Sequence, residues 1–328
     1  MPIIDVQNLG KVYPVAVKEP GMKGTLQHFF RRTYRNIEAV KNISFVIEPG
    51  EIVGFLGPNG AGKTTTLKML TGLIHPSSGQ VSVSGHRPFG RAASFLKEIT
   101  LVMGQKQQLL WDLPALDSLR INAAIYNLSD ATFRQRVGEL AEMLSIQEQL
   151  KQPVRKLSLG QRMKAEMLAA LIHHPQVLFL DEPTLGLDIN AQMAVRNFLQ
   201  AYNQRYGATI LLTSHYMADI TALCDRVLVI HQGALIYDGL LDGLLEKFAP
   251  YREVSVELDR HQPIDRSALA AYGNLQTLEG CKATYLIPVG DLTQTVTDLL
   301  NTLKIQDLSI AEPPIEDVIG KVFETGKL

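Results

Sequence analysis

Residues 57–64 of the sequence read GPNGAGKT and follow the apolar run IVGFL at residues 52–56. The apolar run is typical of a buried strand, and the eight residues after it match the pattern G-x-x-x-x-G-K-[ST]. Glycines in this pattern let backbone N–H groups close around phosphate oxygens at the start of a helix. The stretch therefore predicts a phosphate-binding loop, or P-loop, between a strand and a helix.

The last two positions of the pattern have separate expected tasks. The Lys63 ammonium is expected to reach the β and γ phosphates of a nucleotide, and the Thr64 hydroxyl is expected to bind Mg²⁺. The nucleotide-binding residues predicted from this loop are Gly57, Asn59, Gly60, Gly62, Lys63, Thr64 and Thr65.

A second stretch, QVLFLDEPT at residues 176–184, places two acidic residues after a short apolar strand. Open α/β sheets bind ligands at the carboxyl ends of their strands. Asp181 is therefore predicted to bind Mg²⁺, and Glu182 to polarise a water that attacks the γ-phosphate. A solvated turn is the alternative for an isolated Asp-Glu pair, and the preceding strand argues against it.

Three stretches narrow the interpretation further: LSLGQ at residues 157–161, LDEPTLGLD at residues 180–188 and LLTSHYM at residues 211–217. Together with the P-loop, they resemble the nucleotide-binding subunit of ABC transporters over about residues 1–240, in that family's order. The resemblance implies an α/β fold, in which a P-loop NTPase ABC ATPase domain has a mixed sheet core and a helical subdomain.

The resemblance also implies a dimer that sandwiches two ATP molecules. Ser158, Gly160 and Gln161 would contact the γ-phosphate of ATP held by the opposite subunit, which is a second copy or a close paralogue. Asp188 matches the D-loop aspartate that communicates across the dimer. Leu159 replaces the glycine that usually follows the serine, so no role is inferred for it.

His215 and Gln105 complete the catalytic set that the resemblance implies. His215 follows an apolar strand and matches the histidine that contacts the γ-phosphate and orients water. Gln105 follows the apolar run Leu101–Met103 and matches the glutamine that touches Mg²⁺ and the attacking water. His173 and His174 stand beside Pro175 without such a context and are interpreted as structural.

The segment from Leu109 to Tyr126 follows Gln105 and contains Trp111, the only tryptophan. In the family this segment docks a coupling helix of the membrane subunit. Core packing and exposure at this docking site are both open for Trp111.

Tyr13 occupies the family's position for an aromatic ring that stacks on adenine, after a first strand predicted at residues 3–7. The sequence then departs from the family pattern through a basic insertion at about residues 14–37, which contains Lys18, Lys23, Arg31, Arg32 and Arg35. It could be a solvated surface loop or, through Phe29 and Phe30, an amphipathic element against an anionic membrane or a partner.

The amino-acid composition limits the classes of partner that the chain can bind. With 32 Lys and Arg against 33 Asp and Glu, the net charge of −1 gives no support for nucleic-acid binding. The sequence has no apolar run as long as a membrane span and does not start like a signal peptide. The chain is therefore expected on the cytoplasmic side of the inner membrane, bound peripherally through its permease.

Cys224 and Cys281 are interpreted as buried apolar residues, without a disulfide or zinc site.

Two domains are predicted from the order of elements: residues 1–245 as the ATPase domain, with the helical subdomain at about residues 105–160, and residues 250–328 as an accessory domain. Alternating and helical apolar patterns after Pro250 predict the order βαββαβα, an α+β ferredoxin-like domain with Asp291 as a helix N-cap. The closing EPPIEDVIGKVF resembles the C-terminal domain of ATPases of bacterial exporters. Dimer contacts or regulation are its expected roles.

The leading hypothesis is the ATP-hydrolysing subunit of a membrane exporter, with ATP and Mg²⁺ as cofactors and separately encoded integral-membrane permease subunits as partners. A non-transport ABC ATPase that acts on ribosomes or chromosomes is the alternative. It normally carries two ATPase cassettes or a long coiled-coil insertion, and the motifs here form one closely spaced set. A small-molecule kinase does not explain LSLGQ. The cargo is not encoded in this chain.

Overall fold

A computed structural model describes residues 1–17, 33–104, 107–259, 265–315, 318–320 and 323. The chain divides into two compact units, Met1–Gly239 and Leu240–Leu328. The sequence-based domain limits near residues 245 and 250 stay a prediction. Within the described residues, no helix is both long enough and apolar enough to cross a membrane.

The first unit contains both strands and helices. Its elements are β1 (Ile4–Val17), β2 (Thr33–Ile47), β3 (Ile52–Leu56), α1 (Lys63–Leu70), β4 (Ser78–Val83), α2 (Ala93–Glu98), β5 (Ile99–Met103), α3 (Ala115–Ile125), α4 (Asp130–Leu144), α5 (Leu159–Leu171), β6 (Val177–Asp181), α6 (Ile189–Tyr206), β7 (Thr209–Thr213), α7 (Met217–Leu223), β8 (Arg226–His231) and β9 (Ala234–Leu240).

The central sheet has six strands in the order β5-β6-β7-β3-β8-β9. The pairs β5–β6, β6–β7, β3–β7 and β3–β8 are parallel, so their carboxyl ends lie at one edge. All five residues of β7 are buried, as expected for a parallel strand covered on both faces. This edge receives the P-loop after β3, Glu182 after β6 and His215 after β7.

A second, antiparallel sheet has the order β2-β1-β4. It shares one hydrophobic core with the central sheet, to which Ile4, Phe45 and Phe55 contribute. The rings of Phe45 and Phe55 lie 6.3 Å apart between centroids. The P-loop strand is therefore packed against the sheet that carries Tyr13.

The first strand is longer than predicted. Residues 3–7 were expected, whereas β1 continues to Val17 because its backbone remains paired with β2, from Ile4 opposite Ile47 to Val17 opposite Thr33. Tyr13 consequently lies within a strand. The central part of the basic insertion, residues 18–32 with Lys18, Lys23, Phe29, Phe30, Arg31 and Arg32, lies outside the described residues, and Arg35 lies in β2.

Between β5 and β6 the chain forms the helices α3, α4 and α5, and both α3 and α4 contact α5. The Ser129 hydroxyl accepts a hydrogen bond from the Thr132 N–H and caps α4. At the other end of this helical part, α5 begins directly after Ser158, so the LSLGQ stretch forms the first turn of a helix.

The second unit begins at Leu240, the last residue of β9, and its first helix is α8 (Leu241–Phe248). It continues with β10 (Tyr251–Leu258), α9 (Arg266–Ala270), β11 (Asn274–Glu279), β12 (Lys282–Pro288), α10 (Leu292–Thr302) and β13 (Ile305–Ala311). The strands form an antiparallel sheet in the order β11-β12-β10-β13. This is the split βαβ arrangement of a ferredoxin-like fold, so the predicted fold class is confirmed. Its core includes Val254, Val256, Tyr285 and Leu299.

Details of this unit differ from the sequence-based expectations. Asp291 stands at the N-cap position of α10 but makes no capping hydrogen bond, because a preceding 3-10 turn holds it at φ −100° and ψ −5°. Cys224 is buried as expected, whereas Cys281 is only partly buried against the domain core. The predicted final helix lies partly outside the described residues, and residues 315, 318–320 and 323 are helical.

Candidate functional site

The P-loop connects β3 to α1 through a tight turn. Gly62 has φ 112°, and a Cβ at this position would lie 2.5 Å from the carbonyl oxygen of Ala39. A larger residue would therefore be strained by its backbone angle and would collide with β2. Glycine at this position therefore permits the left-handed turn from which α1 begins.

Lys63 is 7% exposed, and its ammonium donates to the carbonyl oxygens of Gly57 and Pro58, the latter at 3.1 Å. Burial lowers the pKa of Lys63 below its ordinary value, while the negative charges of Glu182 and Asp181 oppose this shift. The ammonium thus lies in the electric field of both acidic residues at the carboxyl end of β6. A cation held over a glycine-rich turn is suited to bind phosphate oxygens.

Asp181 connects the P-loop helix to the neighbouring strand. Its Oδ2 accepts a hydrogen bond from the Thr64 hydroxyl at 2.9 Å, and its Oδ1 accepts one from the Thr213 hydroxyl at 2.8 Å. The two contacts place a carboxylate and a hydroxyl beside the phosphate-binding turn. Oxygen donors of this kind are the ligands that Mg²⁺ prefers.

Glu182 lies directly opposite His215. Oε1 of Glu182 is 2.7 Å from Nε2 of His215, and the two side chains are 22% and 39% exposed. Glu182 has φ 55°, a left-handed conformation that is uncommon outside glycine and asparagine. Its N–H donates to the Thr213 carbonyl and lies 3.1 Å from the Thr213 hydroxyl, which anchors the strained residue to β7.

Gln105 lies outside the described residues, together with Lys106. The residue before it, Gly104, is described: its N–H donates to the Asp181 carbonyl at 3.0 Å. Gly104, which follows β5, is therefore held beside the last residue of β6.

The LSLGQ stretch forms a capping box at the start of α5. The Ser158 hydroxyl accepts a hydrogen bond from the Gln161 N–H at 3.2 Å, and the Gln161 side chain accepts one from the Ser158 N–H at 3.0 Å. A Cβ at Gly160 would lie 2.9 Å from the Cβ of Ala191. Glycine therefore lets the start of α5 approach the start of α6.

Asp188 caps α6, with Oδ1 accepting from the Ala191 N–H at 2.7 Å. Asp188 and the LSLGQ residues thus form a second group through Ala191, separate from the group of Lys63, Thr64, Asp181, Glu182 and His215. Tyr13 is a third position, opposite Ile37 in the β1–β2 pair and half-buried, with the Lys11 ammonium 5.1 Å from its ring centroid.

Trp111 is 46% exposed, and the Arg162 guanidinium lies 5.4 Å from its ring centroid. It therefore lies at the surface, as the docking alternative requires. Leu110, Leu113, Ile121 and Ile125 are exposed apolar residues of the same segment.

Comparison with known proteins agrees with these motifs. The ABC transporter family model matches residues 40–185, and the model of the EvrA-like ABC transporter C-terminal domain matches residues 250–311. The bacitracin transport ATP-binding protein BcrA of Bacillus licheniformis is 34% identical over 90% of this chain and 96% of its own length. The ABC transporter ATP-binding protein NatA of Bacillus subtilis (strain 168) is 36% identical over 66% of this chain and 88% of its own length.

The chain belongs to the ATP-binding subunits of ABC transporters. A solved ATP-binding subunit of an ABC transporter superposes with a TM-score of 0.62 and 27% identity, over 75% of this chain and 93% of that one. The predicted P-loop ABC ATPase fold is confirmed. The protein is an ATPase of this family, so it binds and hydrolyses ATP.

Some residues of the ABC ATPase site were missed by sequence reasoning. Thr213 bonds both Asp181 and Glu182, and Thr184 and Ser214 both donate to the buried Asp219. Thr184 is two residues after Glu182 in the sequence, and Thr213 and Ser214 directly precede His215. Their positions next to predicted site residues could therefore have identified these three hydroxyl residues. Asp219 gave no such signal, because its partners come from three separate segments.

Proposed function

We propose that Glu182 is the general base of ATP hydrolysis and that His215 orients it and the γ-phosphate. The observation that carries this proposal is the 2.7 Å contact between the two side chains at the edge that also holds Lys63. The Glu182 carboxylate accepts a proton from the attacking water, and the His215 ring limits the directions in which that carboxylate can point. The Lys63 ammonium binds the β and γ phosphates.

Thr64 and Asp181 are the proposed Mg²⁺ ligands, with Gln105 as a further one. Their support is the 2.9 Å contact between the Thr64 hydroxyl and the Asp181 carboxylate, an oxygen pair of suitable chemistry. Mg²⁺ supplies charge neutralisation at the phosphates.

The active unit is proposed to be a dimer. Ser158, Gly160 and Gln161 lie at the start of α5, where the positive end of the helix dipole favours an anion. In the dimer these residues bind the γ-phosphate held by the opposite subunit, and Asp188 at the start of α6 lies beside them. The second subunit is another copy or a close paralogue. Tyr13 stacks on the adenine ring.

Permease docking is proposed at a groove of about 420 Å³ between α2, β5 and α3, lined by Leu73, Leu96, Leu101, Gln108, Ile125 and Tyr126. Leu73 and Ile125 are 52% and 67% exposed, so an apolar helix face can bury them. Such docking holds the chain peripherally at the cytoplasmic side of the inner membrane. The match to the EvrA-like C-terminal domain and the transport role named for BcrA support an exporter.

The experiment for this proposal traps the dimer. Tagged Glu182→Gln protein is expressed in its native host, ATP is added to solubilised membranes, and the captured proteins are identified by mass spectrometry. Lys63→Ala protein is the matched control, because it lacks the phosphate contact. A membrane protein with several spans, enriched only with Glu182→Gln and ATP, is expected. Ribosomal or chromosomal proteins in its place would move the assignment to a non-transport ABC ATPase.

A further inference from the structure

A buried carboxylate that belongs to none of the proposed ATP-binding groups lies next to the loops that carry Glu182 and His215. Asp219, in the first turn of α7, is 1% exposed. A buried charge requires compensating partners. The hydroxyls of Thr184 and Ser214 both donate to Oδ2 of Asp219, the second at 2.7 Å, and Nε of Arg196 lies 3.6 Å from Oδ1.

The partners of Asp219 come from the three segments that carry the proposed catalytic and dimer-contact residues. Thr184 is two residues after Glu182, and Ser214 immediately precedes His215. Arg196 lies on α6, the helix that Asp188 caps. One side chain therefore touches the Glu182 loop, the His215 loop and α6.

The hydrogen bonds also determine the local turn at His215. The Ser214 hydroxyl donates to Asp219 and accepts from the Tyr216 N–H at 3.0 Å. Both residues that flank His215 are thereby fixed to α7. In the loop that follows Glu182, Thr184 is 2% exposed, and its hydroxyl donates to the same carboxylate oxygen of Asp219. This hydrogen bond fixes the position of that loop relative to α7.

We propose that Asp219 is a positioning residue for ATP hydrolysis. It holds the Glu182 and His215 loops at the separation at which their side chains meet, and it connects them to α6. This inference rests on the proposed roles of Glu182 and His215. Asp219 acts through these two residues and does not touch the nucleotide.

The test compares Asp219→Asn with Asp225→Asn, which changes an exposed acid in the same part of the chain. The steady-state kcat and KM for ATP are measured, and thermal unfolding monitors folding. We expect Asp219→Asn to lower kcat about 10-fold to 100-fold, with KM changed less than about 2-fold. Asp219→Glu should restore part of kcat, and Asp225→Asn should match the unsubstituted protein. A purely structural role would lower the unfolding temperature and leave kcat per folded molecule unchanged, which would overturn the inference.

Two further variants cover the case in which Asp219→Asn does not fold. Thr184→Val and Ser214→Ala each remove one hydrogen bond to Asp219, and each should lower kcat with little change in KM. Wild-type kcat in both would overturn the inference.

A double variant separates this inference from the proposal on which it rests. In the His215→Ala background, Asp219→Asn should add less than about a 2-fold loss, because both changes disturb one unit. Fully multiplicative losses would contradict it. If His215→Ala and Glu182→Gln themselves keep wild-type kcat, the proposed catalytic roles fail. If those two variants are inactive while Asp219→Asn is fully active, only the role of Asp219 fails.

Discussion

Glu182 and His215 meet at 2.7 Å although they follow different strands, β6 and β7. The two strands are parallel neighbours with Asp181 opposite Thr213. Glu182 is one residue beyond Asp181, and His215 is two residues beyond Thr213. The register therefore places both side chains at the same edge of the sheet. The contact therefore results from strand register, and it can be tested through either partner.

Replacing His215 by alanine removes the group that orients Glu182. We expect kcat to fall about 100-fold or more, the usual scale for a group that assists proton transfer, while ATP binding changes little. ATPase rates and nucleotide titrations measure the two effects. His75→Gln, which changes an exposed histidine, should leave both unchanged. Full activity of His215→Ala would contradict its proposed role.

The Thr64 hydroxyl is tested through its dependence on Mg²⁺. Thr64→Val removes the hydroxyl that lies 2.9 Å from Asp181 at nearly constant volume. The Mg²⁺ concentration for half-maximal ATPase activity should rise about 10-fold, because one oxygen ligand is lost. Thr64→Ser keeps the hydroxyl and should behave like the unsubstituted protein. An unchanged Mg²⁺ dependence of Thr64→Val would remove Thr64 from the proposed metal site.

If the membrane subunits dock at the proposed groove, a substitution there should weaken their association and leave ATP hydrolysis by the isolated chain unchanged. Ile125→Glu adds a charge at a 67% exposed apolar position on α3, so it should weaken association with the membrane subunits. ATPase activity of the isolated chain should remain. Leu300→Glu is the matched control, since Leu300 is 55% exposed on α10 in the second unit. Co-purification of membrane subunits with each variant is the measurement, and equal recovery would contradict docking at this groove.

His173 predicts a pH dependence of stability. The ring is 9% exposed, stacks on Tyr126 with centroids 3.8 Å apart and contacts the Ile99 carbonyl through Nε2. Burial lowers the pKa of His173 from 6.5 to about 4. Between these values the unfolded chain binds a proton that the folded chain does not, so stability is full above about pH 6.5 and falls as the pH decreases towards 4.

From neutral pH to about pH 5, this histidine should cost about 2 kcal/mol of unfolding free energy. Urea unfolding at several pH values measures the effect. His173→Gln should show a smaller decrease over this range, and His75→Gln should retain the full decrease. His174, whose pKa burial also lowers, should account for part of the remaining slope. Equal slopes in all three proteins would contradict the prediction for His173.

Local sequence patterns were sufficient for the P-loop and the strand before Asp181, because glycines and apolar runs determine these elements locally. The extension of β1 to Val17 was not predictable in this way, since it depends on pairing with β2. The partners of Asp181 and Asp219 likewise depend on which strands and helices become neighbours. Sequence reasoning therefore identified the acidic and histidine side chains but missed Thr213 and Asp219, which hold them.

The central claim is that Glu182 performs the hydrolytic step, and its most direct test is Glu182→Gln. ATP turnover and the ATP-dependent size of the purified protein are measured together, with Lys63→Ala as comparison and Glu142→Gln as an exposed-acid control. We predict that Glu182→Gln binds ATP and forms a stable dimer with turnover reduced at least about 100-fold, whereas Lys63→Ala binds ATP weakly. Wild-type turnover of Glu182→Gln would contradict the account.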